Sequence, residues 1–190
     1  MWQSEAGSTG NLKNALSQGM VPYTEVKARW RADGLYLLLY AGDLDLEGVV
    51  TKPDSPLSGD DSFHIELGGG SRTYVIEVSV LGTVADAACA RTESAPIELT
   101  NPSCDRQWNS HVKVAVDKDG TLNHVGDNDE EWVIEMAIGA DALGFRELSP
   151  GTRIPFAVRR CDIRQGTAPH VCGSWGMLQE RGELILSPRG

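Results

Sequence analysis

The chain has 190 residues, enough for one domain that buries roughly two-thirds of the surface its unfolded form exposes. Its 41% hydrophobic and 23% charged residues are ordinary for a globular protein, and no apolar run approaches the roughly 20 residues of a membrane span. The net charge of −10 argues against the positive footprint of a nucleic-acid binder and leaves room for a neutral ligand or a cation such as calcium.

Met1-Trp2-Gln3-Ser4-Glu5 has neither a basic start nor an apolar middle, so no signal peptide is expected within the chain. Trp2 to Tyr23 is polar and weakly patterned, with one short helical turn expected around Leu12–Leu16. Thr24–Trp30 alternates and turns Val26, Ala28 and Trp30 inward; the Ala32-Asp33-Gly34 turn and the apolar run Leu35–Tyr40 complete a hairpin. Asp43 to Asp61 reads as a long loop rich in Asp, Pro, Gly and Ser.

Two alternating segments, Ser62–Leu67 and Thr73–Val80, then flank Gly68-Gly69-Gly70-Ser71-Arg72, the pattern of a second hairpin. Phe63, Ile65 and Leu67 share an apolar face, as do Tyr74, Ile76, Val78 and Val80. The opposite face carries His64, Glu66 and Glu77, more chemistry than a solvated sheet face requires.

Ala85 to Gln107 has little periodicity and reads as a long excursion, either functional or tied by disulfides. His111–Val116 is a strand, and Trp132–Ile138 another, with Trp132, Ile134, Met136 and Ile138 inward. Gly139–Gly144 suggests one helical turn. Arg153–Cys161 forms a strand with Phe156 and Val158 inward, Arg164–Gly173 a loop, and Glu183–Leu186 a closing strand. Many short strands with turn chemistry and almost no helix predict an all-β fold, an antiparallel β-sandwich or jelly roll, as a single domain over residues 1–190.

Cys89, Cys104, Cys161 and Cys172 contain no CxxC pair, which disfavours a zinc site. They allow three pairings, of which the local one, Cys89 with Cys104 and Cys161 with Cys172, is the simplest. Disulfides would place the protein in an exported compartment, secreted, periplasmic or at the cell surface; four reduced thiols in a cytosolic protein are the alternative.

TEVKARWRADGLYLLLYAGDLDL, DSPLSGDDSFHIEL, TYVIEVSVLGTVAD, EEWVIEMAIGADALG, IPFAVRRCD and the closing GSW with GELIL follow one another in an order that resembles the family 9 carbohydrate-binding modules and their DOMON-like relatives. The likeness runs from about Trp2 to Leu186. Such domains usually have a further segment before the position of Trp2, so a first strand is expected to be missing or replaced. The resemblance implies a β-sandwich that holds the ends of sugar chains on its concave sheet between two aromatic side chains, often with structural calcium, commonly in secreted proteins.

Carried over by position, one aromatic clamp becomes Ser58, and the other falls in Met177–Arg181, which has no aromatic residue. His64 replaces the usual glutamate of the central strand, Glu77 stands where some sugar binders have arginine, and Arg159 matches a polar residue of a late strand. Flat aromatic faces supply much of a sugar's apolar contact, so the resemblance implies the scaffold rather than an ordinary glucan-end ligand.

His64, Glu77 and Arg159 therefore form the expected ligand pocket for a glycan or other small polar ligand, with Arg159 as a planar donor and Glu77 as acceptor. A salt-bridge network on a sheet face would use the same residues, and a one-residue register error would separate them. Trp108 and Trp175 lie outside the strongly patterned segments; either could replace the missing platform or plug the sandwich edge. Asp43, Asp45, Asp54, Asp60 and Asp61 crowd one loop and its exit and are weak candidates for calcium ligands, their spacing not being that of an EF-hand. No organic cofactor is expected.

No nucleophile elbow, HExxH or paired-carboxylate arrangement is present, so the chain does not read as an enzyme. The leading expectation is a secreted, non-catalytic carbohydrate-binding-like module, attached to or assembled with a larger secreted protein. One alternative is an adhesion or assembly domain that has kept the scaffold and lost the sugar. A DOMON-like haem-binding electron-transfer domain is another, but it needs an axial pair such as Met with His. Met136 faces the core, Met20 and Met177 lie in loops, and His111, His124 and His170 lie at strand edges or in loops, so no such pair is visible.

Overall fold

The computed structural model describes residues 6–14, 21–91, 96–124, 126–164, 167–177 and 182–188. Its strands are β1 (Gly7–Asn11), β2 (Lys13–Asn14), β3 (Thr24–Arg31), β4 (Gly34–Gly42), β5 (Ser62–Gly69), β6 (Arg72–Ser79) and β7 (Val84–Ala90). They continue as β8 (Cys104–Asp105), β9 (Lys113–Asp119), β10 (Glu131–Gly139), β11 (Arg153–Arg164), β12 (Thr167–Trp175) and β13 (Gly182–Ile185), with one 3-10 turn at Asp141–Leu143. Among the described residues they form two antiparallel sheets. The first runs β1-β3-β4-β10-β9; the second runs β2-β12-β11-β5-β6-β7-β8, with β13 also paired to β11.

The core fills the space between the sheets. Leu37 and Leu39 of β4 and Trp132 and Ile134 of β10 meet Phe63, Ile65 and Ile76 of β5 and β6, all with no measurable exposure. Phe63 and Trp132 bring the two layers together with ring centroids 5.1 Å apart. Period-two alternation put these residues on one face, and burying that face against its counterpart makes the antiparallel sandwich that the sequence predicts.

The central hairpin turns more tightly than its glycine run suggests. Gly68 and Gly69 belong to β5, and the chain reverses at Gly70-Ser71, where Gly70 adopts φ 56°. Gly69 is needed for a different reason. A Cβ there would lie 2.2 Å from the Leu143 carbonyl oxygen, because the 3-10 turn packs directly on the strand.

Two strands lie where loops were expected. β7 occupies the start of the Ala85–Gln107 excursion and pairs with β6 from Arg72↔Ala90 to Val78↔Val84. Its alternation is hidden because both of its faces are covered: Ala88 joins the main core, while Ala85, Ala87 and Cys89 join a second cluster with Val75, Ile97 and Leu99. β12 takes most of the Arg164–Gly173 loop and pairs with β11. The helical turn expected at Leu12–Leu16 is also corrected, since Leu12 sits buried between the extended β1 and β2; positions 15 and 16 lie outside the described residues.

Candidate functional site

Glu77, His64 and Arg159 stand side by side on β6, β5 and β11. The registers pair His64 with Glu77 and Arg159 with His64, so the three form one row across adjacent strands, on the face turned away from the core. That face is not open to solvent. The segment after β7 folds back over it, tied by the Cys89–Cys104 bridge, which joins directly opposed residues of β7 and β8. Ile97 and Leu99 from this cover are buried against Val75, and the Ile97 N–H donates to the Glu66 carboxylate at 2.6 Å.

Beneath the cover His64 is 4% exposed. Its Nδ1 lies 2.9 Å from Glu77 Oε1 and its Nε2 3.3 Å from Glu66 Oε1. Burial alone would lower the imidazole pKa; the hydrogen bonds to Glu66 and Glu77 outweigh it and hold His64 above its ordinary value. Arg159 reaches up from the sheet to Glu98 on the cover, with Nη1–Oε1 at 2.9 Å and Nη2–Oε2 at 3.3 Å. Burial pushes the Glu98 carboxyl up, and the Arg159 pair overcomes it and holds it below the usual range.

Sheet and cover enclose a cavity of about 340 Å³ lined by Ser58, His64, Glu77, Glu98, Arg106 and Arg159, with the Cys161–Cys172 bridge in its wall. Four of the expected site residues, Ser58, His64, Glu77 and Arg159, thus come together. Trp175 does not join them. It is the register partner of Val158, which fixes its side chain on the core side, where it packs on Phe156 with centroids 5.7 Å apart. Trp108 stacks at 5.0 Å on Tyr74, a core-facing residue, and borders a separate hollow near Asp141. Both tryptophans close the sandwich rather than flank this cavity. Of the second clamp position, Met177 is buried, and positions 178–181 lie outside the described residues.

The aspartates of the Asp43–Asp61 loop are mostly interior. Asp60 and Asp61 have no exposure and Asp43 only 2%. Asp60 Oδ1 accepts from the Val49 N–H at 2.8 Å, and the two Asp61 oxygens accept from Glu47 and Ile163, each at 2.7 Å. Asp43, Asp61 and Asp162 bring carboxylate oxygens within 4.8 Å of one another. The cation that meets them is Arg160, fully buried, with Nη2 2.6 Å from Asp43 and 3.3 Å from Asp162, and Nη1 donating to Thr24 Oγ1 and the Gly42 carbonyl.

Burial first, and then the Asp43 charge, pushes the Asp61 carboxyl up to about 8; Asp43 is pushed by burial up to about 6. With both Asp61 oxygens taken by backbone N–H donors and the Arg160 guanidinium bonding Asp43 and Asp162, this set is an internal ion-pair cluster. Asp45 is half-buried and Asp54 exposed, apart from the cluster.

Sequence reasoning missed Glu98, Arg106 and Arg160. Arg160 carried a legible signal: it continues the inward parity of Phe156 and Val158, an arginine where an apolar residue was due. Glu98 and Arg106 carried none, because their place depends on how the excursion folds back. Of the axial candidates for the haem alternative, His64 and Met136 do not face each other: His64 projects from the outer face of its sheet, whereas Met136 lies in the core.

No family model matches the chain, and no curated protein matches it. Solved structures do. A Bacteroides uniformis protein, provisionally described as carbohydrate-binding, aligns with TM-score 0.67 at 15% identity over 96% of this chain and 86% of its own. A family 9 carbohydrate-binding module from Caldicellulosiruptor kristjanssonii, in complex with cellotriose, aligns with TM-score 0.59 at 13% identity over 97% of this chain and 84% of its own. The same organism's module in complex with glucose gives 0.58 at 14% identity, with 95% and 85% covered. At these identities the likeness shows the fold: the chain has the sandwich of the family 9 type.

Proposed function

We propose that the chain is a non-catalytic carbohydrate-binding-like module of an exported protein, taking a glycan end or similar small polar ligand into the cavity above the His64 row. The observation that carries this reading is the meeting of Ser58, His64 and Glu77 with Arg159, from far along the chain, around one cavity of about 340 Å³ under a disulfide-tied cover. That size is within the range of small-molecule sites. Arg106 and Arg159 donate hydrogen bonds while Glu77 and Glu98 accept them, and a sugar hydroxyl does both. The described lining residues include no Phe, Tyr or Trp, so binding would draw on polar contacts more than on stacking. The sugars held by the Caldicellulosiruptor module support the ligand class, and two disulfides support an oxidising compartment.

A glycan-array screen of the oxidised protein, with Arg159→Ala and Glu77→Gln beside it, tests the reading. Saturable binding lost in both variants is the expected result. Binding that survives both would move the site elsewhere. The Arg159–Glu98 pair spanning the cavity favours a second reading, an adhesion or assembly domain without a sugar, and absence of binding to any glycan would put that reading first.

A further inference from the structure

We propose that His64, Glu77 and Glu98 form a binding site for a divalent transition metal, zinc by the chemistry of the ligands. One ligand atom from each residue lies within 4.8 Å of the other two. Zinc bonds of about 2.0–2.2 Å require the carboxylates to close on the ion. Glu98, with 52% of its side chain exposed, has space to shift while paired to Arg159, and Glu77 already points its Oε1 at the imidazole from 2.9 Å.

The imidazole is held as a metal ligand is held. Its Nε2 faces Glu66 Oε1 at 3.3 Å, and Glu66 is 1% exposed, so the ring can donate Nε2–H to a fixed carboxylate and turn a bare Nδ1 toward the other two ligands. Arg159 orients Glu98 by donating to both of its carboxylate oxygens.

Charge points in the same direction. Glu66, Glu77 and Glu98 gather three carboxylates around the imidazole, while Arg159 and, further along the cavity wall, Arg106 are the guanidiniums that line the same cavity. A divalent cation bound between Glu77 and Glu98 would relieve the repulsion between those carboxylates. An imidazole among the ligands favours zinc over calcium or magnesium, which prefer oxygen alone. Three protein ligands leave a fourth position for water or a ligand oxygen, and all three residues line the cavity.

The test is competition between tag-free protein and a chromogenic chelator for zinc, with no sugar present. One zinc per chain is expected, weakened at least about tenfold in both Glu98→Gln and Glu77→Gln and not displaced by equimolar calcium. Glu98 lies on the exposed rim, so its variant folds, and circular dichroism checks both. No saturable zinc uptake by the wild type would overturn the proposal. So would uptake that survives in both variants, which would place zinc elsewhere, for instance at His124 and Asp127, 3.2 Å apart. Because no glycan enters the measurement, its failure is separate from that of the sugar reading.

Discussion

Arg159 and Glu98, 61 residues apart in the chain, meet in a two-pronged ion pair that joins the sheet to the segment covering it. The pair is partly solvated, so its contribution to global stability is small, under about 1 kcal/mol. Its effect is local. Glu98→Ala should leave the unfolding midpoint nearly unchanged while speeding amide exchange at Ile97–Thr100. Unchanged exchange would mean that the disulfide and the Ile97–Glu66 hydrogen bond hold the cover without help.

The Cys89–Cys104 bridge spans 15 residues, a loop whose closure is worth about 3 kcal/mol in the chain-entropy account. The double variant Cys89→Ser with Cys104→Ser should lose about that much in urea unfolding. It should also release Ile97 and Leu99 from Val75, which binding of a hydrophobic dye would report. Removing Cys161–Cys172, which spans 11 residues, should cost slightly less and leave the cover in place.

Asp61 and Asp43 predict the pH dependence of stability. Both carboxyls are raised in the folded state, to about 8 and about 6. Between the unfolded value near 3.8 and these values the native state binds more protons than the unfolded chain, so stability falls as pH rises. The contribution is fully present below about pH 4 and is lost by about pH 8. The melting temperature should therefore decline from pH 5 to pH 8. Asp61→Asn should flatten that decline, at the expense of one of its two backbone hydrogen bonds. A wild-type curve that rises over this window would contradict the assignment.

Arg160 is the buried cation of the scaffold. Replacing it with Met strands Asp43 and Asp162 and should cost about 3–5 kcal/mol. Arg160→Lys should recover only part of that, because one ammonium cannot reproduce contacts to Thr24, Gly42, Asp43 and Asp162 from a planar fork. Since the guanidinium supplies the charge, millimolar calcium should leave the melting temperature unchanged; a calcium-dependent rise would show that the cluster admits the ion.

Much of the framework was legible because it rests on local alternation. The strands around Val26, Leu37, Phe63, Ile76 and Trp132 follow from period two, and so does the face that His64 and Glu77 share, while the tight turn at Gly70-Ser71 decided that they stand opposite each other. β7 escaped because alanines buried on both faces erase alternation. β12 escaped because Gly173, Ser174 and the residues before them offer no clear apolar face. Trp175 was misplaced for want of a register, and pairing with Val158 decided its side.

The sequence by itself determined the all-β class, the core-facing residues and the polar face of the central hairpin, and it favoured the local one of three cysteine pairings. Each depends on neighbours a few residues away, or on the short loops that link each cysteine pair. Only the tertiary structure decided that this polar row is roofed, that Glu98 joins it, and that the loop aspartates are interior. The free energy of a buried charge depends on which partner arrives from afar, and for Asp43 that partner is Arg160, 117 residues along the chain.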